Sequence, residues 1–357
     1  MSYRGGLSRT GIRVYNTMAR QQLIFALGSF SKSQAFQSTV PPAIRTMYTQ
    51  TTISSTHDGA FEKHLTDYSI HPPWCSQKPK LENIREALLV PMPSLSLSQT
   101  CDKLFKSFQQ GHWQAKNEAD VVKLVIPLIM GKRNASSPLA INKRFRNLEP
   151  LTNATNVTIP SAKPDFPYGA TSADLDPAIR TELDQIIIPG RNIPILPNFF
   201  LEVKGPNGLA SVATRQARYI GAIGARAMHR LQNYGQEDPI YDDNAYTFSS
   251  TYHYGLLTLF THHPTLPATP GGRLAYHMTQ LKSYALTNDR ETFVEGVTAF
   301  RNMRKLAKCN RDAFIKIANS RHSDIDTAVE KGNKTVPRRP RFSQLLAQGA
   351  TRSKPAR

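Results

Sequence analysis

The residues best suited to do chemistry lie in one short apolar run, Phe199-Phe200-Leu201-Glu202-Val203-Lys204. Side chains alternate along a strand, so Phe199, Leu201 and Val203 read as core-facing, with Glu202 and Lys204 side by side on the other face. Upstream, Lys163-Pro164-Asp165-Phe166 supplies a second acid at the start of another short strand. Two carboxylates, Asp165 and Glu202, with a backbone carbonyl suit a hard cation, Mg2+ or Mn2+, which keeps several of its waters. Such an ion polarises a phosphate and lowers the pKa of a bound water. Lys204 would orient that water or offset charge developing on the phosphate. Glu-x-Lys is also a common tripeptide, and alone it reads as an ion pair on a half-exposed strand. The order of the surrounding elements has to decide.

Asn117 is a good N-cap for a helix from Glu118 to about Met130, with Val121, Val122, Leu124, Val125, Leu128 and Ile129 as its apolar set and Gly131 to stop it. A short helix over 102–109 precedes it. Strands are expected over 140–151 and over 163–168, the second entering at Asp165, and an inserted helix over 176–188. The run 199–204 is the clearest strand, aromatic and β-branched between Pro197 and Gly205-Pro206. A long Ala-rich helix over 208–234 follows, then a strand or hairpin over 246–260 and a strand over 276–286. Asn288 is read as the cap of a last helix over 289–319. The succession describes a mixed α/β layer with helices on both faces. Residues 1–100 mix Ser, Thr, Gln and Pro with little periodicity and read as mostly irregular.

An acid-bearing helix, Pro164-Asp165, then apolar-Glu202-Val203-Lys204-Gly205 and a further helix resembles the PD-(D/E)XK nuclease superfamily. The resemblance covers about 118–260, under half of the chain. It implies a restriction-endonuclease-like αβββαβ core, a mixed sheet flanked by helices, and metal-dependent hydrolysis of phosphodiester bonds in DNA or RNA. It also implies roles: Asp165 and Glu202 as the metal-binding acids, Lys204 as the lysine, and Glu118 as the first-helix acid. Glu118 also suits a helix N-terminus simply by its charge. Gln216 takes the place of a glutamine that exonuclease-like branches carry after the lysine. Those branches use Gln-x-x-x-Tyr, whereas this chain has Gln216-Ala-Arg-Tyr219, one residue shorter. The interval from Asp165 to Glu202 is long for the family and implies an insertion. The wording around the motif is similar to uncharacterised nuclease-fold domains common in filamentous fungi. Two rivals remain at this point: a catalytically idle nuclease fold that binds nucleic acid, and an interaction module for a protein partner.

The net charge of +19 on 357 residues is unevenly spread. Residues 1–57 carry six basic residues and no acid, and residues 331–357 carry eight and no acid, leaving a balance of +5 between them. Basic tails favour polyanions, and nucleic acid is the expected partner. Arg215, Arg218, Arg226, His229 and Arg230 add a basic stripe on the long helix, either for phosphate contact or as a solvated face. The division expected is a mostly disordered 1–99 with a candidate targeting segment, a nuclease-like domain over 100–320, and a disordered basic tail over 321–357. The acid-free start has transit-peptide composition, and Lys334-Thr-Val-Pro-Arg-Arg-Pro-Arg341 has that of a nuclear localisation signal. The chain is thus expected inside the cell, in nucleus or mitochondrion. Cys75, Cys101 and Cys309 have neither disulfide nor zinc spacing. No apolar run approaches a membrane span, and no Walker loop, Gly-x-Gly-x-x-Gly or Gly-x-Ser-x-Gly motif calls for a small-molecule cofactor. His253, His262 and His263 lack ligands at metal spacing and read as structural.

Overall fold

A computed structural model describes residues 59–330 apart from 96–98, 133–137, 152–156, 159, 268 and 270–271, together with Thr52, Ile53 and Thr56. Apart from Thr52, Ile53 and Thr56, the expected targeting segment, the localisation segment and the tail from 331 on lie outside the described residues, whereas 321–330, expected to be disordered, is helical. In chain order the elements are β1 (Thr52–Ile53), α1 (Gly59–Asp67), β2 (Ile70–His71), α2 (Glu82–Leu89), α3 (Gln99–Gln114), α4 (Glu118–Leu124), α5 (Ile126–Met130), β3 (Val157–Thr158), β4 (Phe166–Ala170), α6 (Pro177–Glu182), α7 (Asp184–Ile187), β5 (Ile195–Lys204), α8 (Ala210–Gln232), β6 (Thr247–His253), β7 (Leu256–Thr265), β8 (Ala275–Ala285) and α9 (Arg290–Glu330). Six strands form one mixed sheet in the order β2-β8-β7-β6-β5-β4, while β1 pairs with β3 alone. β5 and β6 are parallel, which requires a crossover, and α8 supplies it. β4 is antiparallel to β5, and β6, β7 and β8 form an antiparallel meander.

All ten residues of β5 are buried, as a central strand covered on both faces requires. Its alternation feeds two cores. Phe199, Leu201 and Val203 join Phe248, Tyr252 and Leu259 against Phe293, Val297 and Phe300 of α9 and Phe108, Val121 and Ile129 of α3–α5. Phe200 faces the other way, among Ile220 and Ile223 of α8 and Phe61 and Leu65 of α1. Each such side chain contributes about 1.5–3 kcal/mol by burial, so the strand carrying the candidate site is anchored from both sides.

Four expectations are corrected. Residues 140–151 form no strand. One bridge, Leu139 to Tyr168, and the bonds Ala140 N–H to Pro167 O (3.2 Å) and Asn142 N–H to Asp165 O (2.7 Å) lay this stretch along β4 as an irregular edge. Its charged and proline-bounded composition gives no alternating apolar face. Residues 59–95 are not irregular: Phe61 and Leu65 of α1, and Ile84 and Leu88 of α2, are buried at helical spacing. The helix over 118–130 breaks at Val125, because Pro127 lies in the first turn of α5. The last helix is capped by Asp289, which accepts the Thr292 N–H at 2.6 Å, and runs to Glu330 because neither Gly nor Pro interrupts it after Gly296.

Candidate active site

The register pairs Phe166 with Leu201 and Pro167 with Phe200, which sets Asp165 opposite Glu202. Opposed residues of an antiparallel pair share a face, with Cβ atoms roughly 4.5–5.5 Å apart. The backbones hold the two acids in place. Asp165 N–H donates to Glu202 Oε1 at 3.3 Å, and Val203 N–H donates to Asp165 Oδ2 at 2.9 Å. Lys204 Nζ donates to the Val203 carbonyl at 3.0 Å and lies 3.7 Å from Glu118 Oε2.

Glu118 arrives from a different element, and local sequence explains how. Asn117 Oδ1 accepts the Asp120 N–H at 3.0 Å, starting α4 there. Residue 205 must be glycine for α4 to come so close: a Cβ there would lie 2.6 Å from Glu118 N and 2.9 Å from Asn117 C. Four of the five residues singled out in the sequence, Glu118, Asp165, Glu202 and Lys204, therefore meet at the C-terminal end of β5.

Electrostatically the site is short of positive charge. Glu202 is 1% exposed. Burial pushes its carboxyl well above the ordinary range and Asp165 pushes it further, while Lys204 and the Asp165 N–H pull it back. Burial raises Asp165 too, against the Val203 N–H and Lys204. A buried and a half-buried carboxylate sharing one ammonium favour either a bound proton or an added cation. Among the described residues no group of three or more His, Cys, Asp or Glu side chains is set to hold a metal ion. The donors at hand are these two carboxylates and the Val203 carbonyl.

Gln216 does not join the cluster by any hydrogen bond, and its Oε1 is buried without a partner. Tyr219 belongs to the core, packed edge-on against Phe61 with ring centroids 5.8 Å apart. Three arginines of the α8 stripe are spent on protein contacts. Arg218 is 2% exposed and donates to the Ile70 carbonyl and to Thr66 Oγ1, Arg226 donates to Glu149 O at 2.7 Å, and Arg215 pairs with Glu62 at 3.2 Å. These arginines fasten α1, β2 and the 140–151 edge onto α8, so their charge serves packing. His253, expected to be a structural or surface residue, is set beside Lys204 by the parallel register, with Nε2 buried and unpartnered. Only pairing across the α8 crossover reveals that neighbour. A separate, shallow cleft lined by His229, Tyr241, Asp242, Tyr246 and His262 among others includes none of the clustered residues. Asp242 there already accepts from Gln232, Asn244 and Tyr246.

A family model described as a domain of unknown function, DUF7924, matches residues 104–315, more than half of the chain. The chain belongs to the DUF7924 family. No curated protein and no solved structure matches it. The DUF7924 match takes in Glu118, Asp165, Glu202 and Lys204 together with β4, β5, α8 and the β6–β8 meander, while α1, β2 and α2 lie before it. Among the described residues no helix is long and apolar enough to cross a membrane.

Proposed function

We propose that this chain is a metal-dependent nuclease that hydrolyses phosphodiester bonds in DNA or RNA. The observation carrying the reading is the Asp165–Glu202 pairing across β4 and β5, with Lys204 two residues on and Glu118 beside it. With α5, β3, α6 and α7 taken as additions, the order α4, irregular edge, β4, β5, α8, β6 is compatible with the αβββαβ succession, its first strand reduced to a bridge. The chemistry of the donor set fits Mg2+ or Mn2+: hard oxygens, excess negative charge, and a shell that water completes. Asp165, Glu202 and the Val203 carbonyl would hold the ion, which when bound supplies Lewis-acid polarisation of phosphate and a more acidic water. The protein's own parts act around it. β4 and β5 fix the carboxylates through backbone bonds, so their positions need no rearrangement. Lys204, 11% exposed at its side chain and held by Glu118 and the Val203 carbonyl, can orient water or meet charge developing on the phosphate.

A second reading, an idle nuclease fold that binds nucleic acid or a protein, is favoured by one feature. Glu202 is fully buried, and that burial favours its uncharged carboxyl, which opposes recruitment of a cation. One assay separates the two. Plasmid and single-stranded DNA and RNA are incubated with full-length protein and Mg2+ or Mn2+, beside an EDTA control. The nuclease reading expects cleavage that EDTA stops and that Lys204→Ala removes. Cleavage surviving either, or inactivity of well-folded protein on every substrate, overturns it.

A further inference from the structure

Two large aromatic side chains stand in solvent at the same end of the sheet as the acid–lysine cluster: Trp113, 67% exposed, and Tyr254, 53% exposed. They form an edge-to-face pair with ring centroids 6.4 Å apart at 87°. His112 lies between and beneath them, 4.7 Å from the Trp113 ring and 5.1 Å from that of Tyr254. It is buried, and its Nδ1 shares a 3.2 Å hydrogen bond with the Tyr252 hydroxyl. The pair is therefore fixed from below and open above.

Both aromatics are tied to the candidate site by short covalent paths. β5 and β6 end together, with Lys204 beside His253, and Tyr254 is the next residue. Neighbouring strands lie roughly 4.8 Å apart and a residue step is about 3.3 Å, so Tyr254 sits within about one nucleotide's reach of Lys204. On the other side, Trp113 is joined to Glu118 through residues 114–117, of which Lys116 is an exposed cation. The two-residue turn holding Tyr254 has φ of +44° there and +84° at Gly255. Such a turn favours Asn-Gly, and a tyrosine at its first position is sterically disfavoured. An exposed ring is thus kept where the backbone would take a smaller residue, and strain of this kind concentrates at ligand-contacting sites.

We propose that Trp113 and Tyr254 form a stacking platform for an unpaired nucleobase, so that the adjacent site takes single strands and frayed ends in preference to intact duplex. The inference rests on the phosphodiester reading of the acid–lysine cluster. Exposed aromatics beside a backbone-tracking cation stack on bases without sequence preference, whereas bases inside a duplex already stack on each other.

The test uses full-length protein carrying Trp74→Phe, which leaves Trp113 as the sole tryptophan. Binding is measured in EDTA, by Trp113 fluorescence and by anisotropy of labelled probes. The probes are an oligothymidylate, an abasic oligomer with the same number of phosphates, and a blunt hairpin duplex. The oligothymidylate is expected to quench Trp113 and to bind about 5- to 150-fold tighter than the abasic oligomer, the range that stacking of one base gives. Trp113→Ala with Tyr254→Asn removes that difference while leaving abasic affinity unchanged, and Tyr254→Asn alone raises Tm because Asn accepts the positive φ. Equal wild-type affinity for the base-bearing and abasic strands, or a preference that survives the double variant, overturns the platform. Cleavage in Mg2+ is scored separately. Cleavage without base dependence removes only the platform, base-dependent binding without cleavage removes only the nuclease reading, and absence of all binding removes both.

Discussion

Histidines fill the β7–β8 side of the sheet, whereas the β4–β5 side holds two carboxylates, Glu202 buried and Asp165 half-buried. His262 is 2% exposed and shares a 2.7 Å hydrogen bond with Ser249, and burial lowers its pKa to about 3. His277 accepts the Gln77 N–H at Nδ1 (3.1 Å), so its Nε2 carries the proton and faces Thr265 Oγ1 at 3.0 Å. Burial also lowers His263 and His277 to about 4. All three are neutral at pH 7. A neutral, bonded imidazole is a modest burden on a core. Across the sheet, Asp165 and Glu202 stand opposite each other; burial raises both, Asp165 raises Glu202 further, and Glu118 raises Asp165, with Lys204 alone pulling both back as a cation of the cluster. Burial is therefore resolved locally at His262 and His277, while His263 Nδ1 stays buried without a partner, and it is left unresolved at the acids. An unresolved charge cluster is the pattern expected where a ligand completes the electrostatics.

The largest expected effect lies at the acids. Asp165→Ala, Glu202→Ala and Lys204→Ala should each reduce Mg2+-dependent cleavage by at least about 100-fold with the far-UV spectrum unchanged. Because they act as a unit, a double variant should lose little more than either single one. Glu202→Gln should show the same loss while its Tm stays at or above wild type, because a buried like charge is removed. The pH profile sharpens this. A carboxyl raised in the folded state contributes stability below its unfolded pKa near 4.5 and loses it as pH rises through the folded value. The gain from Glu202→Gln should thus grow from pH 4.5 toward neutrality. A clear drop in Tm at pH 7 would make Glu202 a structural acid and dissolve the contrast with the histidines.

At the histidines the sign reverses. His262→Ala should cost about 2–4 kcal/mol, from the cavity and the orphaned Ser249 hydroxyl, with cleavage unchanged. Because the folded pKa lies near 3 instead of 6.5, the unfolded chain takes up a proton there that the folded chain refuses. This contribution is fully present above pH 6.5. It falls by about 1.4 kcal/mol per pH unit as acid is added through the window. Thermal melts from pH 7 to pH 4 check it: wild type should weaken more steeply than His262→Gln, and parallel curves would contradict the account.

How much of this was legible beforehand follows from what each feature depends on. The Phe199–Lys204 strand, the Asn117 cap and the long α8 are written in local periodicity and capping chemistry and are present in the structure, although β5 begins earlier, at Ile195, and runs through the Pro197 expected to bound it. Present too is the meeting of Asp165 with Glu202, which needs only one antiparallel pairing. The irregular 140–151 edge was misread because a run of mixed polarity fixes no register without its neighbour. The arginines of α8 were misread because helical spacing does not say what lies opposite, here α1 and the Ile70 carbonyl. His253 and the Trp113–Tyr254 pair could not be joined to the site from sequence, since their proximity depends on β6 returning parallel to β5. Tyr254-Gly255 between two β-type runs was the available signal for the turn, and Trp113 four residues before the Asn117 cap was the signal for its partner.

The smallest effect should come from Glu118, and its size separates position from charge. Glu118 Oε2 lies 3.7 Å from Lys204 Nζ, with the Glu118 side chain 49% exposed. An ion pair that exposed contributes about 0–1 kcal/mol, so Glu118→Gln should barely move Tm. Its influence on cleavage would run through Lys204, whose Nζ otherwise rests on the Val203 carbonyl. Freed from Glu118, the ammonium samples more positions, and about a ten-fold loss in kcat with little change in KM is expected. Glu118→Asp, which keeps the charge but shortens the reach, should recover part of that loss. Should Glu118→Gln instead match Asp165→Ala, Glu118 would belong with the cation-holding acids, and the cluster would count three such carboxylates where the β4–β5 register alone supplies two.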